Sequence, residues 1–213
     1  MKLSLGNKAL LLVVLVLVVD QILKIWIKTH MIIGQEFRIL GDWFIIHFTE
    51  NNGMAFGMEL GGETGKLILS LFRLAAVVGI GWWIRSLIRQ SAPRGFVLAL
   101  SLILAGALGN ILDSTFYGKI FSDSYFKVAS VFPEGGGYAP FLHGKVVDMF
   151  YFPLLTGHFP DWLPIWGGEQ FVFFRPVFNI ADSAITIGVL IILLFHRKYL
   201  TDQEGQESRG FLS

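Results

Sequence analysis

The chain has 213 residues, 54% of them hydrophobic and 15% charged, with a mean hydropathy of +0.61. A soluble domain of this size cannot hide so much apolar surface in one core, so the composition implies a bilayer as solvent. A net charge of +1 with no long run of like charge leaves nucleic-acid binding without a footprint, and the lack of cysteine excludes disulfides, thiol nucleophiles and thiolate metal sites.

Lys2 and Lys8 precede an apolar run from Ala9 to Val19 that could open a secretory signal peptide. No small-x-small cleavage site follows; the run meets Asp20 and Gln21 and resumes through Ile22 to Ile27, the pattern of an uncleaved first span. Crossing ~30 Å of hydrocarbon takes about 20 mostly apolar residues, and stretches at about 9–27, 67–84, 96–112 and 179–195 approach that length. The expected fold is mainly α and integral to the membrane: one domain over 1–200 built on a bundle of four transmembrane helices, with connections 28–66 and 113–178 and a polar tail 201–213. Arg85, Arg89 and Arg94 fill the short link between spans two and three, Lys2 and Lys8 precede span one, and His196, Arg197 and Lys198 follow span four. The positive-inside rule makes these faces and both termini cytoplasmic, and the two long connections external.

In the first of these connections, residues alternate from Trp43 to Thr49 with Phe44, Ile46 and Phe48 on one face, between turn signals at Gly41-Asp42 and Asn51-Asn52-Gly53, which predicts a small sheet. The second holds six of the seven prolines and the glycines Gly135 to Gly137, Gly167 and Gly168, and reads as loops and short elements on the membrane surface.

Ionisable side chains within a span are costly, and each is a functional candidate by default. Asp20, Arg73, Asp113 and Asp182 lie in or at the ends of spans, and Asp148 sits in the apolar run Val146 to Phe150; under the orientation above all five fall in the outer half of the bilayer. Asn110 precedes Asp113, and Asn179 precedes Asp182, by three residues, so each pair would share a helix face wherever the helix extends that far. Helix capping or interhelical hydrogen bonding would explain any one such pair, but less readily their clustering on one side. No zinc-protease helix motif, serine nucleophile elbow or Walker loop is present, and the five histidines are scattered; His143, near Asp148, is the one open metal candidate. Carboxylate chemistry remains: two close aspartates share a proton, one activating water while the other polarises a carbonyl, with no metal or cofactor.

Five stretches in order carry a specific resemblance. They are Val19-Asp20-Gln21 with Lys24; Asn51-Asn52-Gly53-Met54-Ala55-Phe56-Gly57; Gly106 through Asp113; Val146-Val147-Asp148; and Phe178-Asn179-Ile180-Ala181-Asp182 through Ile185. Together they make the chain, from about Leu10 to Leu194, similar to the bacterial lipoprotein signal peptidases, or signal peptidase II. The resemblance implies an aspartic endopeptidase of the bacterial inner membrane, with its active site toward the outer face, that removes the signal peptide of diacylglyceryl-modified prolipoproteins before the lipidated cysteine. It implies Asp148 and Asp182 as catalytic dyad, a polar or substrate-binding shell of Asp20, Lys24, Asn51, Gly53, Asn110, Asp113 and Asn179, and a sheet acting as an extracytoplasmic cradle beside the substrate, with a loop or lid region. Membrane lipids and globomycin-type cyclic peptides would be further partners.

Two departures stand out. Ser114 occupies the place where the family pattern often has arginine, and Arg73 is expected to take over, paired with Asp20 or Asp113. Residues 117–143 and 151–175 lengthen the outer loops. A channel or transporter is the competing class, since Asp20, Arg73 and Asp182 could line a proton path, but repeat halves and interrupted spans are missing. An assembly subunit would not need five ionisable groups at one depth. Cleavage of a lipidated precursor by the purified chain discriminates the three.

Overall fold

The computed structural model describes residues 3–53, 62–173 and 176–199. Part of the second motif (Met54 to Gly57) and the polar tail lie outside the described residues. Among the described residues, three helices are long and apolar enough to cross a membrane: α1 (Leu5–His30), α2 (Gly62–Arg89) and α3 (Arg94–Leu112), the last continuing to Ile120. Each outruns its predicted span by several residues. The fourth, α4 (Ile180–Phe195), has 16 residues, ~24 Å of rise, and is shorter than a full hydrocarbon crossing.

Contacts divide the chain into two compact units. The first comprises Met1–Gln21, Leu69–Ile111 and Ile180–Ser213. Its core gathers Ala9, Ile84, Leu87, Phe96, Leu100 and Ile192, while Leu11, Leu15, Phe72, Val78 and Leu194 lie exposed on the helices, as lipid-facing residues do. Helix α4 approaches α3 closely because Gly106 has no side chain: a Cβ there would collide with the Ala181 carbonyl. One turn on, a Cβ on Gly109 would meet Asp20 Oδ2 at 2.8 Å and Ala181 Cβ at 3.0 Å. Small residues serve membrane helices by letting backbones approach in this way.

The second unit comprises Ile22–Ile68 and Leu112–Asn179. Strands β1 (Glu36–Leu40), β2 (Phe44–Asn51), β3 (Val146–Tyr151) and β6 (Val177–Phe178) form an antiparallel sheet in the order β1-β2-β3-β6, while β4 (Leu155–His158) and β5 (Gln170–Phe173) pair separately. The predicted turn at Gly41-Asp42 joins β1 to β2, with Gly41 at φ +54°. The predicted alternation along β2 is broken. Ile46 pairs with Phe150 but Thr49 with Asp148, so His47 and Phe48 together oppose Met149. This one-residue bulge buries Ile45 and Phe48 in place of a strict Phe44, Ile46, Phe48 face.

The predicted loop after residue 112 begins later than expected. Asp113–Tyr117 forms a π-helical turn and Gly118–Ile120 one further helical turn before the chain leaves. Ile27, Met31, Phe48, Tyr117, Phe121 and Val147 form the second core.

Candidate active site

In the first unit, Asp20 is 1% exposed on α1, and its Oδ1 accepts the Ala181 N–H at 2.9 Å. That donor lies in the first turn of α4, whose unpaired N–H groups and positive dipole end favour a carboxylate. Gln21 Nε2 donates to Asp20 Oδ2 at 3.1 Å and to the Gly109 carbonyl at 3.3 Å, tying α1 to α3. Asn110, buried on α3, donates to Asp182 Oδ1 at 2.8 Å. The charge of Asp182 also acts on Arg73 of α2. The sequence suggested Asp20 or Asp113 for Arg73; the structure adds Asp182 and gives Asp113 a lysine.

In the second unit, Asp148 is 3% exposed at the centre of β3. Asn51 donates to its Oδ2, and Asn179 Nδ2 donates to its Oδ1 at 2.7 Å and to the Val147 carbonyl at 3.2 Å. The β2 bulge sets this geometry: Thr49 faces Asp148 and Asn51 stands diagonally across on the same face, whereas a slip of one residue would turn Asn51 away. Asn51 Oδ1 accepts the Gly53 N–H in an Asx turn, where Gly53 has φ +84°. Lys24 reaches Asp113 at 2.8 Å with both side chains fully buried, and Asp113 Oδ2 also accepts the Val147 N–H at 3.3 Å.

Of the pairs spaced by three, the helix extends far enough for Asn110 and Asp113, since α3 continues to Ile120, but not for Asn179 and Asp182. Asn110 serves Asp182, 72 residues away, and Asn179 serves Asp148, 31 residues away. Asn179 precedes the first residue of α4, so no helical face exists for it to share with Asp182.

A second buried ion pair, Lys28 with Glu50, escaped the sequence reading because a lysine ending a span reads as interfacial. Lys28 is fully buried and also donates to Ser124 Oγ at 3.0 Å. Tyr138 lies nearby, its ring 4.8 Å from Lys28 Nζ and its hydroxyl accepting the Lys145 N–H at 2.7 Å; burial pushes its phenol above the usual range. Among the described residues no group of three or more His, Asp or Glu side chains is arranged to hold a metal, and His143 Nδ1 meets the Phe141 carbonyl at 2.9 Å.

Long apolar helices, a small antiparallel sheet and buried carboxylates gripped by amides define a mainly helical membrane protein with its polar groups gathered at a few positions. The chain belongs to the signal peptidase II family: the family model described as "Signal peptidase (SPase) II" matches residues 12–197. It is 55% identical over 190 residues to a lipoprotein signal peptidase of Porphyromonas gingivalis (strain ATCC 33277), covering 89% of this chain and 82% of that one. A lipoprotein signal peptidase of Amoebophilus asiaticus (strain 5a2) is 38% identical over 186 residues, covering 86% and 75%. Two solved bacterial membrane enzymes, determined by the in meso method at 2.3 Å and 1.9 Å, are similar at TM-scores of 0.58 and 0.55. They share 27% and 29% identity, covering 92% and 88% of this chain and 91% of each of theirs.

Proposed function

We propose that the chain is an intramembrane aspartic endopeptidase that cuts diacylglyceryl-modified prolipoproteins on the amino side of the lipidated cysteine, with Asp148 and Asp182 as its dyad. The observation that carries this reading is how the carboxylates are held. Asp113 and Glu50 each pair with a buried lysine. Asp148 receives two asparagine amides and Asp182 one, so neutral donors fix the direction of each carboxylate, and the charge of Arg73 bears on Asp182 besides. Asn179, which grips Asp148, precedes Asp182 by three residues in the chain.

In this mechanism one aspartate is ionised and takes a proton from water as the water oxygen attacks the scissile carbonyl carbon. The other, protonated, donates to the carbonyl oxygen, giving a neutral tetrahedral diol. When the C–N bond breaks, the proton held by the first aspartate passes to the cysteine nitrogen, which leaves as the new amino terminus. A hydroxyl proton returns to the second as the carboxylic acid forms. Asn51, Asn110 and Asn179 are positioning residues. Asp20, Lys24, Asp113 and Arg73 hold the elements that carry them, and Gly53 closes the turn behind Asn51.

The same reading makes α4 the fourth span, both termini cytoplasmic, and the sheet an external cradle for the substrate and for globomycin-type cyclic peptides. The test is cleavage of a lipidated precursor in detergent. Asp148→Asn and Asp182→Asn should each fall at least ~1000-fold while keeping the parent's thermal unfolding, because an amide can neither accept nor return the proton. Turnover above a thousandth of the parent rate in either variant overturns the dyad.

A further inference from the structure

Residues 121–142 belong to an inserted loop to which the mechanism gives no task. The loop is built rigidly. Phe121 and Val131 form an antiparallel bridge, Phe132 N–H donates to the Ile120 carbonyl at 2.7 Å, and Ser122 and Ser130 exchange two hydrogen bonds of 3.0 Å. Phe121 and Ala129 anchor it in the second core.

Its outward side is unlike a solvated loop. Phe126 is 97% exposed and Phe132 76%. Both sit in the left-handed region, at φ +60° and +48°. Bulky side chains are rare there, where glycine or asparagine costs far less, so a backbone free of other demands would not carry phenylalanine at both positions. The conformation makes sense if the directions in which these rings project are themselves used.

What they meet follows from where the loop is tied. The Ala129 N–H caps the Lys28 carbonyl in the last turn of α1 at 3.2 Å, and Ser124 Oγ holds the Lys28 ammonium. On the other side, Phe141 packs edge-on against Phe116 of the π-helical turn, centroids 5.8 Å apart, with both rings partly exposed. The loop thus hangs from the ends of two membrane-spanning helices, continuous with the level where a span meets headgroups. Exposed Trp26, stacked on His30, marks the same level on α1. Aromatic rings partition favourably into that interface, and exposed Lys127 beside Phe126 suits lipid phosphates.

We infer that the 121–142 loop is a membrane foot, with Phe126 and Phe132 inserted into the headgroup and upper acyl region of the leaflet in which α1 ends at His30. This rests on the membrane reading of α1, and the experiment separates the two. The chain has no cysteine, so Phe126→Cys, Phe132→Cys, Leu15→Cys on the exposed face of α1 and Asp42→Cys in the exposed β1–β2 turn can each carry one nitroxide. In phosphatidylglycerol–phosphatidylethanolamine vesicles, the expected result is high collision with oxygen and low collision with a water-soluble nickel chelate at positions 126, 132 and 15, and the reverse at 42. Nickel accessibility at 126 and 132 equal to that at 42 overturns the inference while position 15 keeps the span reading. Labels at 126 and 132 that meet neither reagent overturn it too, since protein would then cover them. If position 15 itself is nickel-accessible, the span reading falls and the foot with it.

Discussion

Asn179 Nδ2 donates to β3 at two points, to Asp148 Oδ1 at 2.7 Å and to the Val147 carbonyl at 3.2 Å. One buried side chain thereby fixes a carboxylate and the backbone that presents it. Removing a donor from a buried acceptor costs about 1–3 kcal/mol, and a loss felt in the transition state translates to roughly 5–150-fold in rate. Asn179→Ala should fall toward the upper end of that range in kcat, with KM within about threefold. Asn51→Ala, which releases the carboxylate and the Gly53 N–H but leaves the β3 backbone held, should fall less. Parent turnover in purified Asn179→Ala would remove the amide from the mechanism.

The pH dependence of kcat should show two limbs whose constants belong to the aspartate pair jointly. Asn51→Ala and Asn110→Ala act on different aspartates, yet each should displace both limbs in its residual activity. Movement of only one limb in each variant would mean that the carboxylates titrate independently. Chelators should leave the profile unchanged; loss of activity with chelator and recovery with zinc would favour a metal site at His143.

The carboxylates and asparagines were legible in the sequence because polar residues in apolar runs cannot hide, and the five ordered motifs matched a family. Their pairing was not. Spacing of three suggests a shared helical face, which the continued α3 provides for Asn110 and Asp113; that Asn110 also reaches Asp182 on another helix, and that Asn179 closes a strand and serves Asp148, depends on tertiary packing. The bulge opposite Met149 was equally invisible, since an inserted residue leaves the composition of β2 unchanged. The extension of α3 through Asp113–Tyr117 was missed because Phe116-Tyr117-Gly118 reads as the start of a loop, whereas burial of Asp113 and Ser114 holds it in a wide helical turn. Lys28 could not have been assigned to Glu50 without knowing that Ser124 and Tyr138 fold over it.

Lys24 and Asp113 form a fully buried ion pair at 2.8 Å. Taking away one partner of such a pair strands the other charge and typically costs 3–5 kcal/mol, whereas replacing both by apolar groups is often neutral. Lys24→Met should therefore lower the thermal midpoint in detergent by many degrees, and Lys24→Met with Asp113→Leu should recover much of it. Activity should not return fully, because Asp113 Oδ2 also accepts the N–H of Val147, the neighbour of Asp148. A double variant as unstable as the single would argue against an isolated pair.

Arg73 lies half-buried on α2, and Asp182 is a carboxylate whose charge reaches it. A guanidinium inside a span is costly unless acceptors surround it, and its planar fork can hold one carboxylate while donating to another group. If it serves Asp182, its charge helps set how many protons the aspartate pair keeps. Lysine would keep that charge but not the fork. Arg73→Lys should then retain activity within about tenfold of the parent, in line with the loss of one or two hydrogen bonds. Arg73→Leu should lose ~100-fold or more in kcat and displace the pH profile. The alternative is an arginine that snorkels toward headgroups and leaves the carboxylates alone. In that case Arg73→Leu would match the parent in rate, profile and thermal midpoint, and the link to Asp182 would have no part in catalysis.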